Sequence, residues 1–127
     1  MKETYVTLEQ AKALKRLGFD WECDHRYFRM NETPTYVYPP ENWNTPRCDM
    51  FCNAPALHIA QKWLREVKQY EVNAFRCTHR YLWNAYSCAM EAPALSALGI
   101  LDDDYETYEE ALSAAITIAQ KRLEGKI

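Results

Sequence analysis

The sequence predicts an α+β domain: an antiparallel sheet of three to four strands with about three helices packed mainly on one face. Three observations carry this expectation. Three stretches place apolar residues at helical spacing behind polar caps, and residues 19–27 alternate with period two. Two further aromatic-rich runs between 71 and 90 read as a pair of strands. With 127 residues, the chain has the length of one domain spanning 1–127, large enough to bury a core without staples.

The first helix is signalled by Thr7 with Gln10 three residues later, a capping box in which each side chain serves the other's backbone N–H. Leu8, Ala11, Leu14 and Leu17 share one face, and Gly18 supplies a left-handed stop. Phe19, Trp21, Cys23, His25 and Tyr27 then alternate with Asp20, Glu22, Asp24 and Arg26, as a strand with one covered and one wet face requires. Residues 31–52 read as irregular. Pro34, Pro39, Pro40 and Pro46 exclude a central strand there, leaving a short strand at Tyr36-Val37-Tyr38 and an ordered loop anchored by Trp43.

A second helix is expected over about 54–69, with Pro55 in its first turn and Leu57, Ala60, Leu64 and Val67 as the core stripe, widened by Ile59 and Trp63. Strands follow at about 71–79 and 81–90, although the turn at Thr78-His79-Arg80 lacks the usual glycine. Residues 92–104 read as loop. The last helix has Thr107 and Glu110 as its box, an apolar stripe of Tyr108, Leu112, Ala115, Ile116, Ala119 and Leu123, and Gly125 at its end. Asp102, Asp103, Asp104, Glu106, Glu109 and Glu110 crowd its positive end, where the peptide dipoles favour acids.

Composition narrows the function classes. The net charge of −3 offers no global attraction for phosphate backbones, so nucleic acid is not the favoured partner. No apolar run approaches a membrane span, and the start, Met1-Lys2-Glu3-Thr4-Tyr5, has no apolar core of an export signal. The five cysteines are an odd number, which reads as reduced thiols in a cytoplasmic chain. Nine Tyr and four Trp suit a half-buried sheet or a recognition surface.

Chemistry-bearing constellations are sparse. There is no glycine-rich phosphate loop, serine elbow or His-Glu-x-x-His. Cys48 and Cys52, with His25 and His79, are the candidate ligands for a structural zinc, which needs four converging soft donors. Residues two apart on a strand, such as Cys23 with His25 or Cys77 with His79, do not readily chelate one ion. A Cys–His nucleophile would use Cys77 or Cys88 with a histidine in reach. Two clusters have the Arg–aromatic composition of a single-strand surface: Arg26, Tyr27, Phe28 and Arg29, and Arg76, His79, Arg80, Tyr81 and Trp83.

Several segments resemble a family of small uncharacterised proteins from gut anaerobes and their phages or mobile elements. They are Tyr5-Val6-Thr7-Leu8-Glu9-Gln10-Ala11 running into Leu17-Gly18-Phe19-Asp20, Lys62-Trp63-Leu64-Arg65-Glu66, and Tyr105-Glu106-Thr107-Tyr108-Glu109-Glu110-Ala111-Leu112. These are mostly cap and core positions, so the resemblance implies a fold and no catalytic residues. The expectation is a non-enzymatic accessory domain without a cofactor, acting through contact with another protein or a second copy of itself. Trp43, Tyr81 and Trp83 are its candidate contact residues. A zinc-stabilised or Cys/His catalytic domain and a single-strand nucleic-acid-binding module are the alternatives.

Overall fold

The computed structural model describes residues 3–29, 31–44, 50–78, 80–87 and 105–126. It has three helices and two antiparallel sheets, an α+β fold. The described chain forms two compact units, Met1–Ala56 and Leu57–Ile127. The expected strands are therefore divided between a three-stranded and a two-stranded sheet.

The first unit opens with helix α1 (Leu8–Leu17). The capping box is formed in full: the Gln10 N–H donates to Thr7 Oγ1 (3.2 Å) and the Thr7 N–H to Gln10 Oε1 (2.8 Å). Gly18 closes the helix at φ 98, a conformation open to residues without a Cβ. Leu8, Ala11 and Leu14 are buried, and Lys15 reaches the Phe51 carbonyl (2.9 Å).

Strand β1 (Cys23–Phe28) is central, between β2 (Thr35–Glu41) and β3 (Phe51–Asn53), in the order β2-β1-β3. Three differences from expectation have physical reasons. Residues 19–22 lie outside the strand because side chains take their backbone groups. Asn44 Nδ2 donates to the Phe19 carbonyl (3.0 Å) and Asn53 Nδ2 to that of Trp21 (3.3 Å). β2 runs through Pro39 and Pro40, which an edge strand tolerates. β3 lies in the stretch read as irregular. It is three residues long, too short to show a period, and it forms because β1 offers it a partner.

Helix α2 (Leu57–Val67) begins later than expected. The preceding residues are held by the N-terminal segment, with the Val6 N–H donating to the Pro55 carbonyl (3.0 Å) and Tyr5 bridging Ala56. Leu57, Ala60, Trp63 and Leu64 form its buried stripe. Val67 is exposed, and Trp63 takes the core position given to it.

β4 (Tyr70–Cys77) and β5 (Arg80–Ser87) pair in unbroken register from Tyr70↔Ser87 to Cys77↔Arg80. The two-residue connection needs a positive φ, and Thr78 supplies it at φ 59, which is why no glycine marks the turn. Tyr70, Val72, Trp83 and Ala85 are buried on the face that helices α2 and α3 (Tyr108–Leu123) cover. Gln61 Nε2 ties α2 to the Val72 carbonyl (2.7 Å), and Arg122 Nη1 ties α3 to the Ala85 carbonyl (3.2 Å). Thr107 caps α3, accepting the Glu110 N–H (3.1 Å), but the expected box is half formed: Glu110 Oε1 accepts from the Thr107 hydroxyl (3.2 Å) and not from its backbone N–H. Tyr108, expected in the stripe, is 40% exposed; Ala111 takes the buried position in the first turn.

Candidate functional site: an arginine–aromatic face

One face of the three-stranded sheet gathers the first unit's chemistry. Cross-strand pairing puts Phe28 opposite Phe51 and Arg26 opposite Asn53, so these four share a side. At one end lies a buried amide cluster. Asn53, fully buried, accepts the Trp43 N–H (2.7 Å) and donates to Asn42 Oδ1 (2.8 Å) as well as to Trp21. Its own N–H donates to Asn44 Oδ1 (2.9 Å), and the Asn44 N–H donates to Asn42 Oδ1 (3.0 Å). The loop 42–44 is thereby fastened across the sheet, and Trp43 becomes a wall.

Arg26 lies on that wall. Its guanidinium sits 3.9 Å from the Phe51 ring centre and 5.0 Å from that of Trp43. Arg29 follows at the end of β1, with φ 54, a conformation that costs a non-glycine residue of order 1 kcal/mol. The Arg29 N–H donates to the Met50 carbonyl (2.6 Å), its guanidinium lies 5.2 Å from the Phe28 ring, and its Nη2 reaches Met50 Sδ (3.9 Å). Phe28 (39% exposed) and Met50 (43% exposed) project beside the two cations. Among the described residues neither guanidinium meets a carboxylate. Both rest on aromatic rings, through the attraction of the ring quadrupole for charge.

The opposite side is chemically different. His25 stacks on Tyr5 (4.1 Å), meets Tyr36 edge-on (5.5 Å), and its Nδ1 lies 2.9 Å from Asp24 Oδ1. A cavity of about 540 Å³ lined by residues 3–9, Tyr27, Glu32 and Pro34 has Glu3, Glu9 and Glu32 on its walls and no base. Such walls repel phosphate.

The candidate contact residues are not where the sequence puts them. Trp43 and Trp83 are buried, at 8% and 3% exposure, so neither is a contact surface. Tyr81 is half-buried; it bridges Tyr105 through a pair of backbone bonds and meets Tyr108 edge-on at 6.3 Å. Of the candidate metal ligands, Cys48 and His79 lie outside the described residues, as does Cys88. Cys52 is buried opposite Tyr27, and His25 is engaged by Asp24. Among the described residues no three of His, Cys, Asp and Glu converge as a metal ion would need.

Cys23 and Cys52 are free, buried thiols. Burial, aided by Asp24, pushes Cys23 up to about 12. Burial raises Cys52 as well, partly opposed by Lys15 and Lys12. At neutral pH both are protonated and therefore poor nucleophiles. A pH dependence follows. Cys23 keeps its proton when folded well above its ordinary value of 9.0, whereas the unfolded chain releases it there. This contribution to stability is complete below pH 9 and is lost as the pH climbs toward 12, by about 1.4 kcal/mol per pH unit for one such proton. Tyr5 and Tyr27, raised chiefly by burial, act in the same sense. Urea midpoints measured upward from pH 8 are expected to fall beyond pH 9. A level profile to pH 11 would contradict the burial of these groups.

Arg26, Phe28 and Arg29 are visible in the sequence as a cluster, but their partners Met50 and Phe51 are more than twenty residues away. No local spacing signal could have joined them. Comparison with family models, with curated proteins and with solved structures finds no match. Among the described residues no helix is long and apolar enough to cross a membrane.

Proposed function

We propose that this chain is a small, non-enzymatic accessory domain of the cytoplasm that acts through protein–protein contact, with the arginine–aromatic face as its contact surface. The observation that carries this reading is the pair of exposed apolar side chains, Phe28 and Met50, beside two guanidiniums held by rings and not by acids. Arginine and aromatic side chains dominate the energetics of protein interfaces, because they bury large areas while keeping directional polar edges. The fastened loop 42–44 and the Arg29 turn support it further, since a preorganised surface loses less entropy on binding.

Single-strand binding uses the same residue types, but it needs a basic track along successive phosphates. This face supplies two arginines on a chain of net charge −3.

The test is positional photo-crosslinking in extract of the source cells. A benzophenone side chain is placed at Phe28, at Met50 and, as control, at the exposed Val67. A discrete protein adduct from the first two positions and none from Val67 is expected. Identical patterns at all three positions, or no protein adduct, would remove the reading.

A further inference from the structure

We infer that the partner of the arginine–aromatic face is a second copy of this chain, docked through the acidic, tyrosine-bearing segment that opens α3; the inference rests on the contact role proposed above. The charge distribution points there. Residues 102–110 read Asp-Asp-Asp-Tyr-Glu-Thr-Tyr-Glu-Glu, six acids without a base. Of the chain's 18 acids and 15 bases, 12 acids and all 15 bases lie outside this run, so the remainder is net cationic. The −3 of the whole chain conceals one anionic segment on a mildly basic protein.

The described part of that segment is turned outward. The Glu106 side chain is 80% exposed, Glu109 and Glu110 are exposed, and so is Tyr108. Two of its carboxylate contacts are weak. Arg80 stands 3.9 Å from Glu106, a long pair with an exposed partner, and Glu110 accepts from Thr107 (3.2 Å). The two surfaces complement each other in charge and residue type. Carboxylates can accept N–H groups of Arg26 and Arg29 in charge-assisted hydrogen bonds. A tyrosine ring beside them suits Phe28 and the polarisable sulfur of Met50.

The two surfaces are different patches, so in this contact each copy gives one acidic segment and receives another. Its strength depends on ionic strength, because exposed charges are screened within ~3 Å at about 1 M salt.

Sedimentation velocity of the full chain tests this. The weight-average mass is expected to rise with protein concentration at about 0.02 M salt and to return to the monomer near 1 M. The Arg26→Glu, Arg29→Glu double variant remains monomeric, and so does the Glu106→Arg, Glu109→Arg, Glu110→Arg triple variant. Mixed in equal amounts, the two associate again, because each offers the complement of the other. A misfolded variant could not produce that rescue. The milder Glu→Gln set at the same three positions weakens association by about tenfold or more. A wild type that is monomeric at every concentration and salt, association that persists in both variants, or a mixture that stays monomeric overturns the inference. So does a monomer that binds an oligo-dT single strand through Arg26 and Arg29. A monomeric wild type whose Phe28 cross-links to a different protein removes the second copy and leaves the contact role standing; absence of any protein adduct removes both.

Discussion

Replacing Asn53 by Ala is expected to lower the unfolding free energy by about 2–4 kcal/mol, because it removes three hydrogen bonds made by one fully buried amide. The Trp43 N–H loses its acceptor, the Trp21 carbonyl loses the amide donor, and Asn42 Oδ1 keeps only the Asn44 N–H. A buried donor left unmet costs about 1–3 kcal/mol, the two part-buried acceptors cost less, and all three meet at one side chain, so their costs overlap. The amide orientation is fixed by its surroundings. Turned over, it would set oxygen against two oxygens and its NH₂ against the Trp43 N–H. Asn53→Asp keeps the acceptor, loses both donors and places a charge in a fully buried position, so it should be at least as damaging. Urea unfolding with an unchanged slope and a lower midpoint is the readout. A loss under about 1 kcal/mol would mean the amide cluster is replaceable by water. The same variant should disorder the Trp43 wall and release Arg26, weakening any association through that face even under conditions where the protein stays folded.

The second large effect is Trp63→Ala, expected at about 3–5 kcal/mol. Trp63 is 1% exposed and is the largest fully buried side chain among the described residues, on the inner stripe of α2. Removing it deletes the indole's transfer energy and leaves a void that neighbours fill only in part. Against a typical total stability of about 5–15 kcal/mol, this approaches the threshold of folding. Trp63→Phe should recover roughly half of the loss. Chemical denaturation followed by the remaining tryptophans measures it. A loss below about 1 kcal/mol for the alanine variant would show that α2 is not held through this residue.

The helices were legible because their signals are local. Thr7 with Gln10, Gly18, and Thr107 with Glu110 mark chain ends through groups within four residues of one another, and the structure uses each of them. The hairpin of β4 and β5 was legible for the same reason: its partners are neighbours in sequence. What failed was non-local. Phe19 and Trp21 carry the period of a strand, yet their carbonyls go to Asn44 and Asn53, more than twenty residues away. β3 exists only because Tyr27 and Phe28 face Cys52 and Phe51. The sequence makes Trp43 both the anchor of its loop and a contact residue; buried beside the amide cluster, it is placed as an anchor. The exposed pair that replaces it, Phe28 and Met50, comes from two segments brought together by sheet pairing, which no periodicity reports.

The prolines of β2 have a consequence for how copies of this protein can meet. Pro39 and Pro40 occupy the exposed outer strand and carry no backbone N–H, so that margin is a poor template for a further strand. Growth by cross-β templating into fibres is thereby discouraged at that margin. Any assembly there must be written in side chains, and one written in charged side chains dissolves when the salt is raised. A protein that joins its copies this way gains a contact it can undo without unfolding.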